Sequence, residues 1–358
     1  GLDVRRILSE PTAAALAYGV HHVVGARTLA VFDLGGGTFD VSILRVEDGL
    51  FEVLAVAGDM ALGGDDFDRA IAEALAAEIT KQHGPQLVLD AAAVGRLREE
   101  AERVKCRLSQ ETRVTVRLPF LGQSSTGAPV HFELELTRAD LVALCANLLA
   151  RLVPPCESAL AEAKIEAGEL DEVLLVGGMT RMPAVQERVA QIFGCAVSKS
   201  ANPDEIVALG AAAHGAILAG DMPDVVLLDV AARSLGIRAG EDKFSVVIAR
   251  NTTLPARAQR VFGTSRADQT FVAVDVYQGE SETVAQNRLL GCLRLDDLPP
   301  GPAGSVKIVL DFWVDVDGLL EVEAREASSG RSVSLRVSSA GGLSVEELDR
   351  AIDAQREP

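Results

Sequence analysis

Phe32-Asp33-Leu34-Gly35-Gly36-Gly37-Thr38-Phe39-Asp40 is the densest chemical signal in the sequence. Three consecutive glycines let a backbone turn tightly and come close to a ligand. Their bare N–H groups can face phosphate oxygens, and Thr38 adds a hydroxyl donor. Asp33 and Asp40 flank the turn, and paired carboxylates suit a hydrated Mg2+, which keeps several of its waters. The segment is neither GxxxxGK(S/T) nor GxGxxG, the two commonest nucleotide loops. Taken alone, it reads equally as a glycine-rich hairpin with solvated carboxylates. Gly177-Gly178-Met179-Thr180-Arg181-Met182-Pro183 is a second glycine turn, from strand to helix, and suits a ligand at a helix N-terminus. Many α/β proteins keep such turns for packing only. Ser9-Glu10-Pro11-Thr12 opens an alanine-rich helix, with Pro11 suited to its first turn and Gly19 to its end. A well-capped helix explains all of that segment except the placement of Glu10.

The elements that must hold these residues show two textures. Up to about residue 221 strands and helices mix. Thr28-Leu34 and Thr38-Val46 read as strands on either side of the three glycines. Residues 66–81 read as a helix, with Phe67, Ile71, Leu75 and Ile79 at helical spacing. Residues 92–109 and 137–163 read as further helices, Leu174-Val176 as a short strand, and Pro183-Phe193 and Pro203-Leu218 as helices. After residue 229 the helical period fades into short β runs at Ser245-Ile248, Phe271-Val276, Lys307-Val314, Leu319-Ala324 and Ser332-Val337. That is an all-β module. Ser344 with Glu347 forms a capping box for a last helix. Between the textures, Val225-Val226-Leu227-Leu228 follows Pro223 and reads either as a buried strand or as an apolar linker that docks.

Composition narrows the classes. Of 358 residues, 48% are hydrophobic, which excludes a disordered chain. Lys and Arg number 34 against 52 Asp and Glu, a net charge of -18, which argues against a broad nucleic-acid surface. No apolar run reaches the ~18 residues of a membrane span, and no signal core opens the chain. Five cysteines without CxxC spacing fit reduced thiols in a cytoplasmic protein, and the five histidines show no zinc-ligand spacing.

Taken together and in order, the segments Ser9-to-Gly19, Asp33-to-Asp40, Gly63-to-Asp68, Val176-to-Pro183 and Asn202-to-Glu205 resemble the seventy-kilodalton heat-shock chaperones, the bacterial DnaK type above all. Val225-to-Asp229 and Asn251-to-Pro255 continue the resemblance, which covers essentially the whole chain. It implies an α/β actin-like ATPase domain (residues 1–221), an interdomain linker (222–229), an all-β sandwich that binds extended apolar peptides (230–341) and the start of a helical lid (342–358). The resemblance also implies that the ATPase domain is N-terminally incomplete. The family's first phosphate loop and catalytic Lys have no counterpart here, so the chain as given is expected to be an internal fragment and inactive as an ATP hydrolase.

Carried over by position, Gly35, Gly36, Gly37 and Thr38 resemble a phosphate loop, and Asp33 and Asp40 the carboxylates near Mg2+ and the attacking water. Glu10 resembles a carboxylate beside the nucleotide phosphates. Glu102, Lys105 and Ser109 resemble adenosine-side residues, and Gly177, Gly178, Arg181 and Asp204 the opposite wall. Ile237, Phe262, Val272, Val274 and Ile308 resemble the lining of a central peptide pocket, although periodicity alone reads them equally as core. Arg6 and Asp229 match positions linked to co-chaperone docking and linker coupling. Departures are Arg233, a charge where the pattern is apolar, and Gly240 and Ser265, where bulkier residues arch over the peptide. The resemblance implies ATP or ADP with Mg2+ as cofactors. It implies unfolded clients, a J-domain co-chaperone and a nucleotide exchange factor as partners, with neither nucleic acid nor membrane. An iron-sulfur assembly chaperone of the same family fits Gly63-to-Phe67 and Ala303-Gly304 as well, and a non-catalytic peptide-binding fragment is the other alternative.

Overall fold

The computed structural model describes residues 6–22, 25–84, 87, 89–123, 129–195, 197–198 and 202–337. They separate into two units. One is Leu8–Leu227. The other runs from Leu228 and includes Arg6 and Ile7.

The first unit is built on a mixed five-stranded sheet. Helix α1 (Glu10–His22) precedes β1 (Arg27–Leu34), β2 (Phe39–Glu47) and β3 (Leu50–Asp59). Helices α2 (Gly64–His83) and α3 (Ala91–Gln110) follow, then a two-stranded antiparallel hairpin of β4 (Arg113–Gln123) and β5 (Pro129–Thr137). Next come α4 (Arg138–Leu144), α5 (Ala146–Arg151), α6 (Val153–Ala163), β6 (Glu172–Val176), α7 (Pro183–Phe193), α8 (Ile206–Ala219) and β7 (Val226–Leu228). The sheet order is β6-β1-β2-β3-β7. β1 pairs antiparallel with β2 and parallel with β6, which places Asp33 opposite both Asp40 and Val176.

Every residue from Leu29 to Leu34 is buried, as a central strand covered on both faces requires. Side chains alternate across a strand. Ala30, Phe32 and Leu34 therefore join the large core with Phe67, Ile71, Leu75 and Ile79 of α2, while Val31 and Asp33 face the other way. On that other side α1 packs against β1 and β2 and against α8. The helices meet so closely that a Cβ on Gly210 would lie 1.8 Å from the Ala13 carbonyl oxygen.

Three expectations are corrected. Gly19 does not end α1, which runs on to His22; it is a contact glycine, and a Cβ there would lie 2.4 Å from the Phe51 ring. Residues 137–163 are three helices rather than one stretch. They break at Cys145 and again at Leu152; Pro154 and Pro155, which lack the N–H that would continue a helix, follow the second break. Pro203 stands in a turn before α8 rather than inside it. Val225-to-Leu228 supplies an edge strand: the Val226 N–H donates to the Gly49 carbonyl at 3.0 Å, and the Val226 side chain stays exposed.

The second unit contains two antiparallel sheets. β8 (Leu235–Ala239), β9 (Lys243–Ile248), β11 (Val272–Gln278) and β12 (Arg288–Leu295) form one, in the order β12-β11-β8-β9. β10 (Ala256–Gly263), β13 (Lys307–Val314), β14 (Leu320–Glu326) and β15 (Ser332–Val337) form the other, in the order β10-β13-β14-β15. Alternate residues of both sheets, among them Val274, Val276, Leu293, Ile308, Leu310, Phe312 and Val322, are buried in one cluster. The expected helix at Ser344 lies outside the described residues, as does the rest of the lid segment.

Candidate functional site

The three glycines connect β1 to β2 and are clamped from one side. The Gly35 N–H donates to the Thr38 carbonyl at 3.1 Å. The first turn of α2 then donates back into the loop, Gly64 N–H to the Gly35 carbonyl at 2.9 Å and Asp65 N–H to the Gly36 carbonyl at 2.8 Å. A helix N-terminus has orphan N–H groups, and here two of them fix the loop carbonyls. Gly36 and Gly37 are exposed, and a Cβ on Gly37 would meet nothing within 4 Å. Thr38 is half-buried at the far end of the loop.

Gly177 comes directly after Val176, the residue paired with Asp33, so the β6 turn lies beside the loop. Its φ is +82°, and a Cβ would fall 2.3 Å from the Leu34 carbonyl oxygen and 2.8 Å from Asp33 Oδ1. Only glycine takes this backbone and this proximity without cost. Gly178 next to it is exposed, with nothing within 4 Å of its Cβ position. Both glycine turns thus lie at the carboxyl ends of neighbouring parallel strands, where open α/β sheets hold ligands.

Asp33 is buried near the end of a strand whose other buried residues are apolar. Its carboxyl is pushed up to about 7, first by burial and then by the negative charges of Glu10 and Asp40. Glu10, placed by the first turn of α1, therefore joins Asp33 and Asp40 in one acidic cluster, which nothing in the sequence spacing announces. Close carboxylates of this kind are a fit for a divalent cation, whose charge removes their mutual repulsion. Among the described residues no three Asp, Glu, His or Cys side chains are arranged as direct ligands of one ion, so the fit is to a cation that keeps its waters.

Lys105 is buried on α3. Its ammonium donates to Asp68 Oδ2 at 2.8 Å and to the Gly64 carbonyl at 3.3 Å, which ties it to the clamped side of the loop. Ser109, one turn on, donates to the Lys105 carbonyl at 3.0 Å, and Glu102, one turn back, is exposed. Arg181 pairs with Asp204 at 2.5 Å and with Asn202 Oδ1 at 3.3 Å. A cavity of about 510 Å³ opens there, with Thr180 and Gln186 on its wall. The structure thus brings Glu10, Asp33, Asp40, the glycine loop, Gly177 and Gly178 together, links Lys105 to them through Gly64, and sets Arg181 with Asp204. Sequence reasoning missed the backbone N–H groups of Gly64 and Asp65, and Asp68 as the partner of Lys105. The Gly63-to-Asp68 segment was the available signal.

In the second unit Val272, Val274 and Ile308 are buried in the shared core, and Ile237 and Phe262 are half-buried against it. Phe262 stands opposite Ile308 across β10 and β13. Gly240 has φ +68° and open space around it, and Ser265 is turned onto its own loop, its N–H donating to Gln269 Oε1 at 3.0 Å. Arg233 is half-buried. Arg6 pairs with Asp317 at 2.6 Å, and Asp229 accepts from the Val230 N–H at 2.8 Å through its side chain.

These features define a class: a mixed α/β unit with an exposed glycine loop beside an acidic cluster, joined to an antiparallel β unit. The family profile described as Hsp70 protein matches residues 1–358, and the chain belongs to the Hsp70 family. It is 45% identical over 352 residues to the heat shock protein hsp-6 of Caenorhabditis elegans. That alignment takes in 98% of this chain and 53% of the relative, so the chain spans about half the length of the relative it matches.

Proposed function

We propose that the chain is part of an ATP-dependent molecular chaperone, with nucleotide held in the α/β unit and extended apolar peptides in the β unit. The observation that carries the reading is the convergence of the Gly35-to-Thr38 loop, the Gly177-Gly178 turn and the Glu10, Asp33 and Asp40 carboxylates at neighbouring strand ends. The exposed glycine N–H groups would face the phosphates, and Thr38 would add a hydroxyl. Asp33, Asp40 and Glu10 would hold Mg2+ through its waters; bound there, the ion supplies charge neutralisation for the phosphates. Such a site works by positioning and electrostatics, with little covalent chemistry asked of the protein. Lys105, Glu102 and Ser109 would face the adenosine from one side, and Arg181 and Asp204 from the other.

In the β unit, the two sheets would form the peptide-binding sandwich, with Phe262 and Ile237, the two least buried of the five apolar candidates, nearest to a bound side chain. Backbone pairing with a sheet edge gives affinity for extended peptides without sequence choice. Client peptides, a J-domain co-chaperone and a nucleotide exchange factor belong to this reading as partners. The cytoplasm belongs to it as location, supported by five cysteines that are all free. Calorimetric titration with ADP, with and without Mg2+, tests the nucleotide half. Binding that tightens with Mg2+ and loses that response in Asp33→Asn is expected; no heat at millimolar ADP would reject it. A fluorescent leucine-rich heptapeptide tests the other half, with saturable binding expected.

A further inference from the structure

The acidic partner of Lys105 has no assigned part in the site above. Asp68 and Lys105 form an ion pair that is largely shielded from solvent, their side chains 16% and 10% exposed. A lysine ammonium is a strongly hydrated point charge on a flexible stem, so burying it needs a partner that fixes where it points. Two of its three protons are used, one by Asp68 Oδ2 and one by the Gly64 carbonyl. Among the described residues the third has no acceptor. Gly64 in turn donates to the carbonyl of Gly35, so the same ammonium is one residue removed from the glycine loop.

Burial pushes the Asp68 carboxyl up, and the Lys105 hydrogen bond and charge pull against that, while Glu102 and Asp65 add like charge. Cys145, the buried thiol that feels both members of the pair, is pushed up to about 11 by burial and stays neutral. Asp68 Oδ1 is buried with no hydrogen-bond partner. Among the described residues the carboxylate's one partner is the Lys105 ammonium.

We propose that Asp68 is a positioning residue of the nucleotide site: it holds the Lys105 ammonium so that its free proton faces the bound nucleotide, and through Gly64 it steadies the phosphate loop. This rests on the nucleotide reading above. The test is calorimetric titration of the whole chain with ADP and Mg2+ for the wild type, Asp68→Asn, Lys105→Met and the double variant, with thermal midpoints recorded alongside. Each single change removes a charged hydrogen bond and should weaken ADP roughly tenfold or more. The double variant should bind no more weakly than Lys105→Met, because Asp68 acts only through Lys105. Losses that add in the double variant, or an unchanged affinity in Asp68→Asn, overturn the positioning role while leaving the nucleotide reading in place. No binding by the wild type overturns both. A second measurement needs no variant: the Lys105 ammonium resonance should move when ADP is added to the wild type, and a resonance that stays put refutes the proposal.

Discussion

Replacing Gly177 with alanine separates what the fold needs from what the ligand needs. At φ +82° and ψ +146° an alanine enters a region kept essentially to glycine, at a cost of about 1–3 kcal/mol. Its methyl would also lie 2.3 Å from the Leu34 carbonyl oxygen and 2.8 Å from Asp33 Oδ1. The first neighbour is backbone in the central strand, so β1 or the turn must move, which adds roughly 1–3 kcal/mol as overpacking does. For a domain of this size each kcal/mol lowers the midpoint by about 2–4 °C. Gly177→Ala should therefore lower the thermal transition of the α/β unit by roughly 4–24 °C and weaken ADP through the displaced Asp33. Gly178→Ala is the control: its methyl meets nothing, so the transition should stay within a degree or two, yet the space it fills is where an anion would sit and ADP should weaken. Scanning calorimetry reads the first effect and ADP titration the second. An unmoved transition in Gly177→Ala would refute the steric argument, and full ADP affinity in Gly178→Ala would refute the placing of the ligand.

Three further outcomes follow from particular contacts. The Glu326 carboxyl is held down to about 2 by hydrogen bonds from Ser329 and Ser328. A depressed carboxyl stabilises the folded unit above its ordinary range near ~4.3 and loses that as pH falls through the folded value. Glu326→Gln should then lower the midpoint of the β unit at pH 7, with the gap from wild type closing between about pH 4 and 2; a gap independent of pH would count against it. Leu227→Asp should release β7 from β3, seen as faster amide exchange at Val226, whose N–H is the bond at stake; unaltered protection would mean the pairing does not depend on that side chain. Val272→Phe adds bulk to a packed core and should cost the β unit about 1–3 kcal/mol in urea unfolding while abolishing heptapeptide binding; intact peptide affinity would place the site elsewhere.

Elements whose signal is local were legible. β1 and β2 announced themselves as apolar runs around three glycines, and α2 through Phe67, Ile71, Leu75 and Ile79, because periodicity and turn chemistry lie within a few residues of chain. β3 and the β4–β5 hairpin went unread, as did β10 and β12, whose exposed Val261 and Leu289 blur the alternation. Gly19 looked like a helix stop because a glycine demanded by the Phe51 ring and one demanded by a left-handed turn are the same letter. The site was legible as separate segments, since each glycine turn marks itself. Its assembly was not: Glu10 reaches Asp33, and Asp68 reaches Lys105, only through tertiary packing.

The parallel pairing of β1 with β6 also sets an order of events. Leu29 pairs with Glu172 and Asp33 with Val176, so the loop and the Gly177 turn meet only after the helices and the hairpin between them have been made. Contacts this distant along the chain pay their loop-closure entropy before they return any stability, which slows their formation. During vectorial synthesis the β1–β2 ribbon and α2 can settle on the ribosome while the Gly177 half is still unmade. ADP affinity is therefore a sensor of finished folding in this unit: in a stalled-chain series, nucleotide binding should switch on in one step once the segment through α8 has emerged, rather than grow with length.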